Sequence, residues 1–322
     1  MNHGGNVWEG SDPGRWLDFS ANLRPEGPPE WVKRALLRAL DDVRYYPDRS
    51  LRAARGGLAA YAGVPTECLL PTAGGEAAID LALTLRQGAV SIPPVTFGGY
   101  AQRAVARGRP IESRRDATVF RCNPNNPTGE SVSRAALLAL HEGIAADGGE
   151  LIVDEAFIDF RPACSVRDAA CDTLTVVGSL TKVLGIPGVR LGYIVSSPNN
   201  IARLRERMPA WPLGALAAAV AAELPEHLHE ISQDAVLNAR RRDVFARHLQ
   251  AAGARVFPSA ANFLLCDFGQ DMTQAAQALK ERGILVRTCA SFGLDSGYMR
   301  LAVKTEEEND RFIKELKQCL AY

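Results

Sequence analysis

The chain has 322 residues, 47% of them hydrophobic, enough to bury a sizeable core and to form one large and one smaller unit. Lys plus Arg and Asp plus Glu both number 37, so no net field recruits nucleic acid or an anionic membrane. Seven scattered cysteines, odd in number and never in a C-x-x-C pair, argue against a disulfide framework and for reduced thiols in a cytoplasmic protein. The opening residues carry no basic or apolar leader, and the longest uncharged run, 208–222, is short and broken by two prolines, so no membrane span is expected.

In chain order, residues 1–27 are rich in Gly, Pro and Asn and read as an extended arm. A helix is expected from Pro28-Pro29, because proline suits a first turn, with Trp31, Val32, Ala35, Leu36, Ala39 and Leu40 on its apolar face. Arg44-Tyr45-Tyr46-Pro47-Asp48 is a turn. The apolar stub at 69–71 leads into Thr72-Ala73-Gly74-Gly75-Glu76, which opens a helix to about residue 86. Gly74 and Gly75 there let backbone N–H groups approach an anion at the positive end of the helix dipole. After a strand at 89–92 comes Phe97, an aromatic that can stack on a flat ring or join the core. The strand at 118–122 ends in Asn123-Pro124-Asn125-Asn126-Pro127-Thr128-Gly129, a rigid, hydrogen-bonding turn. A helix from near Ser133 crosses back to a strand at 151–153, with Asp154 at its C-terminal edge, where a carboxylate can cap a turn or hold a ring nitrogen protonated.

Two apolar runs, 174–177 and 191–195, read as buried strands flanking Ser179-Leu180-Thr181-Lys182 and Gly185-Ile186-Pro187-Gly188-Val189-Arg190. Burial depresses a lysine's pKa, and a neutral Lys182 amine could form a Schiff base with an aldehyde. Ser179, Thr181 and Arg190 offer the hydroxyls and guanidinium that hold a phosphate dianion. A long helix is expected over 225–252, with Arg240-Arg241-Arg242 as a solvated face. A strand at 263–267, a helix at 272–282, strands at 284–287 and 298–302 and a helix at 307–320 complete the chain. Arg287 and Arg300 each end or interrupt an apolar strand, where an unpaired charge is costly and capture of a carboxylate or phosphate explains it. His227 and His229, two apart in a helix, face different ways, which argues against a metal site. Strands alternating with helices imply a mainly parallel sheet covered on both faces.

The pattern Ser-x-Thr-Lys…Gly-x-x-Gly-x-Arg-x-Gly resembles the pyridoxal phosphate (PLP) lysine segment of fold-type I enzymes, the aspartate aminotransferase superfamily. Residues 123–129 match the Asn-Pro-x-Asn-Pro-Thr-Gly signature of its class I and II aminotransferases. The resemblance covers essentially the whole chain. It implies an α/β, fold-type I architecture: a mainly parallel sheet sandwiched by helices, plus a small α+β C-terminal domain. The expected division is an arm over 1–27 packing on the small domain, a large PLP-binding domain over 28–225 and the small domain over 226–322. Pyridoxal 5′-phosphate is the implied cofactor, with Lys182 as its Schiff-base lysine and acid/base, Asp154 as partner of the pyridine nitrogen and Asn126 as partner of the ring O3′. Phe97 is expected to stack on the ring, and Gly74, Gly75, Glu76, Ser179, Thr181 and Arg190 to surround the phosphate. Tyr46 is expected to reach the phosphate of a dimer mate, which makes the protein a homodimer. Position 157, usually tyrosine in the aminotransferases, is phenylalanine here, so one hydrogen-bond donor is missing.

Within the superfamily, His3-Gly4-Gly5-Asn6, Leu17-Asp18-Phe19-Ser20-Ala21-Asn22 and residues 154–160 resemble the L-threonine-O-3-phosphate decarboxylases of cobalamin biosynthesis. Arg300 matches the family's carboxylate-binding arginine, and Arg287 an anion-binding arginine of the histidinol-phosphate aminotransferase branch. The implied substrate contacts are His3, Gly5, Asn6, Asn22, Arg287 and Arg300, and the implied partner is a small phosphorylated amino acid. Decarboxylation of phosphothreonine to aminopropanol phosphate is the implied reaction. Transamination of histidinol phosphate or a related amino acid with 2-oxoglutarate is the alternative.

Overall fold

The computed structural model describes residues 4–9 and 12–320. The arm ends in strand β1 (Leu17–Asp18), followed by helices α1 (Glu30–Arg38) and α2 (Arg52–Ala62). Next come β2 (Leu69–Thr72), α3 (Gly75–Ala82), β3 (Val90–Ser91), α4 (Gly99–Ala106), β4 (Thr118–Cys122), α5 (Arg134–Ala146), β5 (Glu150–Asp154), β6 (Leu174–Ser179) and β7 (Gly192–Val195). Helices α6 (Pro198–Arg205), α7 (Ala215–Glu223) and α8 (Leu228–Ala251) lead to β8 (Arg255–Val256) and β9 (Phe263–Asp267). The chain closes with α9 (Thr273–Glu281), β10 (Ile284–Leu285), β11 (Arg287–Thr288), β12 (Tyr298–Ala302) and α10 (Glu306–Leu320).

The protein is a mixed α/β structure with a central, mostly parallel sheet in the order β2-β7-β6-β5-β4-β3. Strands β3 to β6 run parallel, and β7 is antiparallel to both of its neighbours. Alternation along the strands feeds two cores, one on each face. Val153, Val176, Tyr193 and Val195 point to the face covered by α1, α2, α5 and α7. Ile152, Val177 and Ile194, one position out of step, meet α3, α4 and α6 on the other. At the strands' C-terminal ends Asp154 closes β5, and the turns that follow β4 and β6 carry Asn126 and Lys182.

A second, four-stranded antiparallel sheet, β11-β12-β9-β8, packs with α8, α9 and α10 around Phe245, Leu264, Met299, Leu301 and Phe312. β1 pairs in parallel with β10, matching Leu17 to Ile284. Phe19, fully buried, lies 4.6 Å from the Phe312 ring and 5.8 Å from Phe245. Helix α8 reaches both cores, with Ile231 in the first and Phe245 and Leu249 in the second.

Several local expectations are corrected. Leu40 is 51% exposed because α1 stops at Arg38 and its apolar face ends with it. Helix α3 ends at Ala82, well short of residue 86. Residues 284–287 form two short strands instead of one: β10 pairs with β1 and β11 with β12. Arg240 is exposed, but Arg241 is drawn against the body by an ion pair with Glu26 at 2.5 Å, so the arginine run is not one solvated face.

Candidate active site

The ends of β4, β5 and β6, the start of α3 and the arm enclose a cavity of about 280 Å³. Asn126, Asp154, Ser179, Thr181, Lys182, Arg190, Gly75, Glu76 and Phe97 line it, together with Gly4, Asn22 and Arg300. Phe97, Asn126, Asp154 and Lys182, spread over 85 positions of sequence, meet here because each lies at or just beyond the C-terminal end of a parallel strand of the same sheet.

One wall is backbone on backbone. A methyl built on Gly192 would lie 2.6 Å from the carbonyl carbon of Gly74, so the start of β7 touches the start of α3. Gly74 itself, at φ 89°, lies under the Arg190 guanidinium, where a methyl would be 2.7 Å from Nη2. Arg190 adopts a left-handed φ of 62°, and its Nη1 donates to the Pro187 carbonyl at 3.0 Å. These approaches bring the unbonded N–H groups of the first turn of α3 beside the Ser179 and Thr181 hydroxyls, which are 2.8 Å apart. Helix dipole, hydroxyls and guanidinium together make a cradle for a dianion.

The opposite end is anionic. Asp154 is buried, and its Oδ2 accepts from the Tyr100 hydroxyl at 2.6 Å while its Oδ1 accepts from the Ala156 N–H at 2.9 Å. Burial pushes its pKa up, and those two donors and Lys182 pull it back. Tyr100 is a site residue that sequence reasoning passed over. It sits three residues after Phe97 on α4, its ring stacked on Phe120 at 4.6 Å and edge-on to Phe97 at 5.5 Å. Its signal was a tyrosine among small residues in an unanticipated helix, too local to reveal a contact 54 residues away.

Lys182 lies between these ends. Burial, then the Arg300 and Arg190 charges, lower its pKa from 10.5 to about 8, with Asp154 opposing. Arg300, also buried, donates from Nη1 to Asn126 Oδ1 at 2.7 Å and from Nη2 to the Ser20 carbonyl at 2.5 Å. Burial and the Arg287 charge bring Arg300 down to about 10. Its Nε has no hydrogen-bond partner, and neither Arg287 nor Arg300 meets a carboxylate among the described residues. Phe157 packs edge-on against Phe263 at 5.0 Å and forms an apolar wall beside them.

Other expected residues are spread more widely. Glu76 reaches the cavity rim and faces Arg103 at 3.6 Å. Asn22 is buried with its Oδ1 unpartnered. Gly5 lies one residue from the lining, its N–H donating to Ser20 Oγ at 2.8 Å. Asn6 is exposed and bonds Glu9 instead. Arg287, opposite Arg300 across the strand pair, lies behind the cavity with Nη2 on Ser291 Oγ at 2.6 Å. Tyr46 is outside the cavity altogether, 79% exposed and stacked on Trp211 at 4.3 Å. His3 lies outside the described residues.

Residues 15–316 match the family model described as aminotransferase class I and II. The chain belongs to that family. Threonine-phosphate decarboxylase of Salmonella typhimurium is 34% identical over 353 aligned positions, covering 99% of this chain and 96% of its own. A histidinol-phosphate aminotransferase of Mycobacterium bovis is 33% identical over 313 positions, covering 90% of this chain and 84% of its own. The histidinol-phosphate aminotransferase of Sinorhizobium meliloti, solved in complex with pyridoxal-5′-phosphate, superposes with a TM-score of 0.83 at 19% identity, covering 94% of this chain and 90% of its own.

Pyridoxal phosphate is the cofactor of this family, and the cavity suits it. The cradle around Gly74, Ser179, Thr181 and Arg190 is shaped for a phosphate, and a side chain on Gly74 would fill it. Asp154 is a buried carboxylate held by two donors but short of the full cationic partner a protonated ring nitrogen would provide. Lys182 offers an amine whose neutral form is within reach near neutral pH.

Proposed function

We propose that the protein is a PLP-dependent decarboxylase of L-threonine O-3-phosphate, releasing CO₂ and leaving 1-amino-2-propanol phosphate. The observation that carries this reading is the roof of the cavity. Gly4 of the arm, Ser20 and Asn22 line it beside Arg300, so a ligand held there is covered from above. The Salmonella decarboxylase also aligns over 99% of this chain, arm included.

Bound PLP supplies an electrophilic ring that accepts the electron pair released at Cα. The chain's residues do the rest. Asp154 would hold the ring nitrogen protonated, and the Asn126 amide, its Oδ1 taken by Arg300, would donate to O3′. Arg300, with its Nε unpartnered, receives a carboxylate, and Asn22 in the lining, with the Arg287 charge behind it, serves the phosphate. The Cα–carboxylate bond would break and CO₂ depart, leaving the bonding electron pair at Cα for the ring to share until a proton arrives. Lys182, poised at about 8, delivers the proton that replaces the carboxylate and recovers one from solvent. The roof excludes other acids, which favours return of the proton to Cα. Phe157 withholds the hydroxyl with which aminotransferases tune the ring.

The same reading includes a homodimer in which Tyr46 serves the partner's site. Leu37, Val43, Tyr45 and Tyr46, close in sequence, are each exposed, and apolar side chains of this kind suit an interface. Light scattering that finds a fully active monomer would remove this element.

The deciding experiment incubates the PLP-loaded protein with phosphothreonine and no 2-oxo acid. Release of CO₂ in step with aminopropanol phosphate is the expected result. Conversion of 2-oxoglutarate to glutamate with histidinol phosphate as donor, and no CO₂ from phosphothreonine, would assign the protein to the aminotransferases instead.

A further inference from the structure

Four contacts converge on Ser20, which the site so far leaves without a role. Its N–H and its hydroxyl both donate to Asp18 Oδ1, at 2.7 and 2.6 Å. With its proton committed there, the hydroxyl oxygen acts as an acceptor and takes the Gly5 N–H of the arm at 2.8 Å. The Ser20 carbonyl accepts from Arg300 Nη2 at 2.5 Å. The same carbonyl oxygen is what a methyl on Gly4 would strike, at 2.0 Å, so only glycine lets the arm lie this close. Ser20 is buried and lines the cavity between Gly4 and Arg300.

The base beneath it is fixed. The Phe19 N–H donates to the Leu285 carbonyl at 2.8 Å, and the Phe19 carbonyl accepts from Ala302 at 2.9 Å. Arg300, in contrast, needs holding: this buried guanidinium, in salt bridge with no carboxylate among the described residues, lies over the Phe263 ring at 5.5 Å and is aimed by its hydrogen bonds to the Ser20 carbonyl and Asn126 Oδ1.

We infer that Ser20 is a positioning residue, whose hydroxyl latches the arm at Gly5 and whose carbonyl aims Arg300. Seating of the arm and orientation of the anion-reading guanidinium are then set at one node. A ligand carboxylate that draws on Arg300 and an arm that closes over the ligand stabilise the same arrangement, so each favours the other. The inference rests on the proposed function only for the identity of the anionic substrate.

Hydrogen exchange on the PLP-loaded enzyme tests it, read on the peptide containing Gly5, alongside steady-state kinetics. Ser20→Ala removes the acceptor and should speed Gly5 exchange about tenfold. It should raise KM for phosphothreonine about tenfold with a much smaller fall in kcat, the pattern of a lost binding interaction. Ser20→Thr keeps the hydroxyl and should restore both. Gly4→Ala lifts the arm by a different route and should reproduce the KM effect. The double variant should be no worse than the worse single one, because the arm can be unseated only once. Retained PLP absorbance in each variant verifies the fold. Unchanged Gly5 exchange in Ser20→Ala, additive effects in the double variant, or a fall in kcat alone would overturn the inference. A wild-type protein that released no CO₂ from phosphothreonine would fail the proposed function, while Gly5 exchange in Ser20→Ala without substrate would still decide the latch.

Discussion

Replacing Lys182 with methionine should make the cofactor-free protein more stable, an outcome opposite to that of most changes in a buried site. The Lys182 ammonium has its pKa lowered from 10.5 to about 8, chiefly by burial and then by Arg300 and Arg190. A tenfold change in proton affinity is about 1.4 kcal/mol, so carrying the charged lysine costs the folded apoprotein about 3 kcal/mol. The sign follows from the folded pKa lying below the unfolded one. Below about 8 both states hold the proton and the full cost applies; as pH rises from about 8 to 10.5 the folded state releases it first and the cost disappears. Methionine keeps the length and most of the volume without the charge. Urea unfolding of the stripped proteins should show Lys182→Met more stable by up to about 3 kcal/mol at neutral pH, the gain shrinking steadily above about 8. The same variant, reloaded with PLP, should carry no borohydride-reducible bond to it. A variant less stable than the parent at neutral pH, or a difference indifferent to pH, would refute the assignment of a destabilised ammonium at this position.

Asp154→Asn should retain PLP yet lose activity by about 10²-fold or more, since an amide cannot hold the ring nitrogen protonated; near-normal turnover counts against the role. Tyr100→Phe deletes the 2.6 Å bond to the Asp154 carboxylate, which lowers that group's pKa, so the acid limb of the pH–rate profile should move to higher pH. An unmoved limb would mean that the hydroxyl does not hold the charge. Phe157→Tyr returns a hydroxyl to the apolar wall and should increase side transamination, measured as inactivation during turnover that added PLP reverses. An unchanged rate of inactivation would show that the wall does not steer the outcome.

Much of the cavity was legible because its residues sit in short motifs at strand ends. Asn126, Asp154 and Lys182 follow β-branched runs, and strand C-terminal ends converge in any parallel sheet. What was not legible depended on long-range packing. Tyr100 meets Asp154 only because α4 lies on the face fed by Phe120 and Ile152. Helix α7 went unseen because its run of alanines has no polar face, so its burial leaves no periodic mark. Ser20 stands in the motif at 17–22, but its double engagement, arm on one side and Arg300 on the other, exists only once β1 has paired with β10. Arg241 was expected in solvent because its partner, Glu26, is 215 residues away.

Helix α8 is 24 residues long, about 36 Å from end to end. Its first turns belong to one core through Ile231 and its last to the other through Phe245 and Leu249. Between them, Asp234 and Arg241 grip Arg24 and Glu26, and the Arg24 N–H donates to the Lys182 carbonyl at 3.1 Å. A rod shared in this way binds the two halves into one cooperative unit, since neither core can melt without stripping the helix that completes the other. Loss of the C-terminal core therefore reaches the lysine and the central sheet together, and catalytic competence should vanish in the same transition as the fold.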